Sequence, residues 1–122
     1  MNIIITNNPM VREKHVGRDK IEFLDTDCLG VFKAVRDRIH QGHSLVTHPL
    51  SGSVKPGETP YKTVIITGER VSGAFKIDEN SLFLIEDSIQ TCLKLKTSVM
   101  KKEWSEKVLA DFQIIDYNLI SC

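Results

Sequence analysis

Two short β-branched runs constrain this chain more than any other feature: Asn-Ile-Ile-Ile-Thr at 2–6 and Thr-Val-Ile-Ile-Thr at 63–67. Each is too short for a stable helix and lacks polar alternation. Each therefore reads as a strand buried on both faces, the kind found inside parallel sheets. The stretches around them carry helical periodicity, which is what covers such a sheet.

Asn7-Asn8-Pro9 breaks the first run. Asn is a good helix N-cap and Pro suits the first helical position, so a short helix is expected over 10–15. Gly17 ends it, and 20–25 reads as a second strand through Ile21, Phe23 and Leu24. Asp25 or Thr26 can cap a helix over about 27–41. Cys28, Phe32, Val35 and Ile39 form its buried stripe, with Lys33, Arg36, Asp37 and Arg38 on the other side. Gly42 is its stop, and 44–47 is a short third strand or extended piece. Asp78 is a candidate cap for a helix running to about 96, with Leu82, Ile85, Ile89, Cys92 and Leu93 on its apolar face. Trp104, Val108, Phe112, Ile115 and Leu119 recur at intervals of three and four. That spacing predicts a final amphipathic helix over 103–120, with Asp111 and Asp116 on its exposed side. The element order β-α-β-α-β-loop-β-α-α implies an α/β fold. Its sheet is mainly parallel with about four strands and has helices on both faces, a three-layer, Rossmann-like arrangement.

A length of 122 residues suits one domain spanning 1–122. Sixteen basic and sixteen acidic side chains cancel, which argues against a general nucleic-acid binder and permits a homo-oligomer. The three cysteines, Cys28, Cys92 and Cys122, are odd in number, far apart and without a CxxC pair, a usage suited to a reducing compartment. The start of the chain lacks the pattern of a signal peptide, and no apolar run approaches the ~18 residues of a membrane span. The expected location is the cytoplasm, without membrane contact.

Between Pro49 and Pro60 the composition turns to Pro, Gly and Ser. The segment 48–62 reads as a ligand clamp. Ser51 and Ser53 offer hydroxyls, Gly52 a close backbone approach, and Lys55 or Lys62 a positive charge, a set that suits a carboxylate or phosphate. It matches neither the P-loop nor the dinucleotide glycine pattern. A rigid connector is the competing reading, since prolines lower unfolded-state entropy, but long structureless loops in compact domains lean functional. Asn7 and Asn8 could set two amides and a helix start beside the same anion; capping accounts for one of them and leaves the other. In open α/β sheets ligands sit beyond the carboxyl ends of the strands. Asn7, Asn8, Asp25, His48 and Gly68 all fall at or just past predicted strand ends.

The expected ligand-binding set is therefore Asn7, Asn8, His48, Ser51, Gly52, Ser53, Lys55 and Lys62. His48 is also the candidate catalytic acid or base. His40 and His43 flank a helix stop with no carboxylate or thiolate at matching spacing, so no metal is expected, nor any cofactor. Cys28 and Cys92 fall on apolar stripes and read as buried and inert. Lys94, Lys96, Lys101 and Lys102 read as solvated surface.

Two stretches carry a family likeness: Ile4-Ile5-Thr6-Asn7-Asn8-Pro9, and Thr47-His48-Pro49-Leu50-Ser51-Gly52-Ser53-Val54-Lys55-Pro56 with Glu58-Thr59-Pro60-Tyr61-Lys62. Together they resemble the GrdX-like proteins, and Arg36-Asp37 and His40-Gln41-Gly42-His43 also fit. The resemblance implies a setting beside the glycine and betaine reductases of anaerobic, amino-acid-fermenting bacteria, in Stickland-type metabolism. It implies a cytoplasmic accessory or regulatory protein and supplies no catalytic residues. Its partner would be a small anionic metabolite or a glycine/betaine reductase component. Lacking a redox cysteine pair of the CxxC kind, the chain should not itself be a reductase subunit. Two other readings stand beside this one. The first is a small enzyme acting on a phosphorylated or carboxylated metabolite through His48. The second is a docking module for a reductase component.

Overall fold

A computed structural model of the chain describes residues 2–14, 20–49, 61–70, 76–96 and 105–121. Strands β1 (Asn2–Thr6), β2 (Lys20–Phe23) and β3 (Thr63–Thr67) form one sheet in the order β2-β1-β3. β1 pairs with β2 in parallel over four partner pairs, and with β3 antiparallel over five. The expectation of a mainly parallel, Rossmann-like sheet of about four strands is thus incorrect. This is a mixed, three-stranded sheet whose longer ladder is antiparallel.

The reason lies at 44–47. This piece is not a ladder strand; it makes one isolated bridge, Leu45 to Ile66. Thr67 N donates to Ser44 O (2.8 Å) and Val46 N to Ile65 O (2.8 Å), so the chain climbs the outer edge of β3. After residue 48 it returns and inserts β3 beside β1, antiparallel to both. A strand buried on both faces reads the same in either direction, so the apolar run at 63–67 could not report its own sense.

Directly opposed residues share a sheet face. Ile3 opposite Ile66 and Ile5 opposite Val64 point to one side, and Ile4 opposite Ile65 and Thr6 opposite Thr63 to the other. On the first side lies α2 (Cys28–His40), and α3 (Glu79–Lys96) packs onto α2. Cys28, Phe32, Val35 and Ile39 are buried there with Ile85, Ile89 and Cys92, as the helical spacing predicts. Asp27 caps α2, its carboxylate accepting from Gly30 N at 2.9 Å. At the other end Gly42 takes φ +106°. Gly42 N reaches Ile39 O (2.9 Å) and His43 N reaches Arg38 O (3.1 Å), the paired bonds of a Schellman stop.

The second side is covered by α1 (Pro9–Lys14) and α4 (Glu106–Ser121), which touch each other. Val11 of α1 is fully buried, and Arg12 lies over the Phe23 ring at 4.2 Å. α4 does not present the predicted stripe. Val108 and Ile115 are exposed and Asp116 is buried, so its expected solvent-facing position is also corrected. The helix turns Phe112, Gln113, Asp116 and Tyr117 toward the protein instead. Among the described residues, no helix is long and apolar enough to cross a membrane.

Candidate functional site

One end of the sheet gathers most of the buried polar side chains. There β1 and β2 finish and β3 begins, because Thr6 is paired with both Phe23 and Thr63. α2 starts at the same end, since Leu24 N donates to Thr6 O (2.8 Å) just before the Asp27 cap.

Asn7 and Asn8 leave β1 in opposite directions, as successive residues of an extended chain do. On the α2 side, Asn7 Oδ1 accepts from Lys62 N (2.8 Å) and Asn7 Nδ2 donates to Thr26 O (2.7 Å). Asn7 thus straps the entry of β3 to the entry of α2. On the α4 side, Asn8 Oδ1 caps α1 by accepting from Met10 N (3.0 Å). Asn8 Nδ2 donates to Gln113 O and to Asp116 Oδ2, both at 3.0 Å. Both amides therefore serve the fold, and one residue docks two helices.

Thr63 Oγ1 donates to Asp116 Oδ2 at 2.6 Å. Its single proton is then committed, so the 2.7 Å contact between the two threonine hydroxyls is donated by Thr6. Thr6 Oγ1 in turn accepts from Asn8 N (2.9 Å). The result is a buried relay from the Asn8 amide through Thr6 and Thr63 to the Asp116 carboxylate. Gln113 Nε2 extends it by donating to Tyr61 Oη (3.0 Å).

Two opposite charges lie in this end of the molecule, each 5% exposed: Lys62 and Asp116. Burial lifts the Asp116 carboxyl above its ordinary range, against the hydrogen bonds from Thr63 and Asn8 and the attraction of Lys62. Burial likewise lowers the Lys62 ammonium, against the pull of Cys28 and Asp116. Each group is pushed toward its neutral form and held back by the other.

Of the expected ligand set, the structure brings Asn7, Asn8 and Lys62 together. His48 follows Thr47, whose Oγ1 accepts from Ile65 N (3.0 Å). It leaves the edge of β3 toward the same end and is exposed. Asp25 lies at this end too, whereas Gly68 lies at the opposite one because β3 runs antiparallel. Ser51, Gly52, Ser53 and Lys55 lie outside the described residues. His43 is buried at the far end, its Nδ1 at 2.8 Å from Thr67 O. Among the described residues, no group of three metal-ligating side chains forms.

Sequence reasoning missed Asp116, Gln113, Thr6 and Thr63. The threonines closed their strand runs and looked like ordinary β-formers. The one signal for α4 was Gln113 and Asp116 at helical spacing, and the apolar stripe beside them outweighed it.

Fold and site together define a small mixed α/β protein whose sheet end is closed by a buried polar relay and two opposite charges. The chain belongs to the GrdX-like family: the family described as GrdX-like protein matches residues 3–122. No curated protein and no solved structure matches the chain.

Proposed function

We propose that this protein is an accessory or regulatory protein of the glycine/betaine reductase system that binds a small carboxylate- or phosphate-bearing metabolite at the Lys62 end of the sheet. Family membership supports the setting. The buried Lys62 supports the ligand class. Its ammonium is desolvated at the point where the segment 48–62 re-enters the sheet, and an anion arriving there would favour its charged form against that burial. Asp116 gives the same region a negative end, so a zwitterion such as glycine has a partner for each of its charges.

Calorimetry with glycine, betaine and acetyl phosphate tests this reading. At least one should bind at millimolar concentration or tighter. Lys62→Met should abolish that binding while the far-UV circular dichroism stays unchanged. Absence of heat with all three ligands, or undiminished binding by the variant, contradicts the proposal.

A further inference from the structure

The two edges of the sheet differ. The outer side of β3 is lined by 44–47, where Leu45 bridges to Ile66. The outer side of β2 has no strand beyond it among the described residues. Leu24 N donates to Thr6 O, so Glu22 and Lys20, in step with Leu24, also turn their backbone groups toward β1. Ile21 and Phe23 turn theirs outward. Among the described residues, no hydrogen bond reaches the outward N–H or C=O of either. An open row of this kind is a template for another strand.

The side chains specify which strand fits. Lys20 and Glu22 share the face toward α2, and Ile21 and Phe23 the face toward α1. Arg38 of α2 donates to Glu22 Oε1 (2.5 Å), which leaves Oε2 for a second cation. Lys20 is exposed and has no ion pair among the described residues. A lone edge lysine repels another edge of the same kind. Here Glu22 stands two residues on, so an identical strand turned end for end sets each Lys20 opposite a Glu22.

We infer that two copies of this chain pair through the outer edges of β2, antiparallel about Ile21, and join their sheets into one of six strands. In that register the two Ile21 residues exchange both N–H···O=C bonds, as their outward backbone groups require. Each flanking pair, Lys20 with Glu22 of the partner subunit, is then of the closely spaced, non-hydrogen-bonded kind, where side chains meet best. Parallel pairing in register sets Lys20 against Lys20 and loses this match. Equal numbers of acidic and basic residues leave little long-range repulsion between copies. The paired edge is short, so the dimer should be weak, dissociating in the micromolar-to-millimolar range. The two-fold places the two Lys62 ends at opposite ends of the joined sheet, so the pairing does not depend on ligand binding there.

Sedimentation equilibrium of the full chain should show a mass that rises with concentration from 13.8 kDa toward twice that value. Amide exchange followed by NMR should slow at Ile21 as the dimer forms. Lys20→Glu sets like charges in both flanking pairs and should weaken dimerisation about tenfold. Glu22→Lys should act alike, and an equal mixture of the two variants should pair more tightly than either alone, because opposite charges face each other again. A chain that stays monomeric up to millimolar concentration overturns the inference and leaves the edge to a strand of another protein. A dimer in which Ile21 exchanges as fast as in the monomer also overturns it, as does one that Lys20→Glu leaves unweakened. Where Glu22→Lys fails to fold by circular dichroism, Lys20→Glu and the Ile21 exchange decide the matter.

Discussion

The side of the sheet under α2 and the side under α4 share the same three strands but are held by different forces. Under α2, Ile3, Ile5, Val64 and Ile66 meet Phe32, Val35 and Ile39 in a continuous apolar layer. Under α4, the strand-end residues are Thr6 and Thr63, and the helix meets them with a carboxylate. The first contact is non-directional and scales with area. The second is directional: it holds only while Asn8, Thr63 and Asp116 keep their geometry, and each buried group left unpaired carries a cost. α2 is therefore a packed element, whereas α4 is a latched one.

The largest effect expected from breaking this contrast is on the α2 side. Phe32 is completely buried, and Phe32→Ala should cost about 3–5 kcal/mol of unfolding free energy, measured by urea denaturation. A loss below about 1 kcal/mol would mean that the layer is not the main core. Next comes the latch. Asp116→Ala strands the Thr63 hydroxyl and one bond of the Asn8 amide, and should cost about 1–3 kcal/mol. Asp116→Asn keeps an acceptor for both donors and should cost distinctly less. Equal losses in the two variants would show that shape, and not hydrogen bonding, docks α4. The smallest effect is expected at the helix cap, where Asp27→Ala removes the bond to Gly30 N and should lower stability by about 1 kcal/mol.

The same contrast governs what could be read from the sequence. Apolar spacing marks a packed face directly, so the stripe of α2, its Gly42 stop and the apolar face of α3 were legible residue by residue, although the cap is Asp27 and not Asp25 or Thr26. A latch leaves no such trace. Asp116 has the composition of a surface residue, and only the fold brings it under Asn8 and Thr63. The direction of β3 was hidden for a related reason: a β-branched run reports burial but not sense. The piece 44–47 that sets this sense reads in the sequence as a short strand or extended piece, with no sign that it lines the outer edge of β3. The grouping of Asn7, Asn8 and Lys62 was visible as strand-end positions. That both amides are spent inside the fold was not, because capping needs only one.

The central claim is that Asp116 is a desolvated carboxylate locked to Asn8 and Thr63, and an NMR titration of its side-chain carboxyl tests it most directly. The folded group should titrate above the ~3.9 of an unperturbed Asp, with the Asn8 side-chain amide signals moving in step. A raised folded pKa also means that the native state holds the proton more tightly than the unfolded chain does. The Asp116 contribution to stability is then fully present below the unfolded value and is lost as pH rises through the folded one. A midpoint at the ordinary ~3.9, with the Asn8 amide unmoved, would place the carboxylate in solvent and contradict the latch.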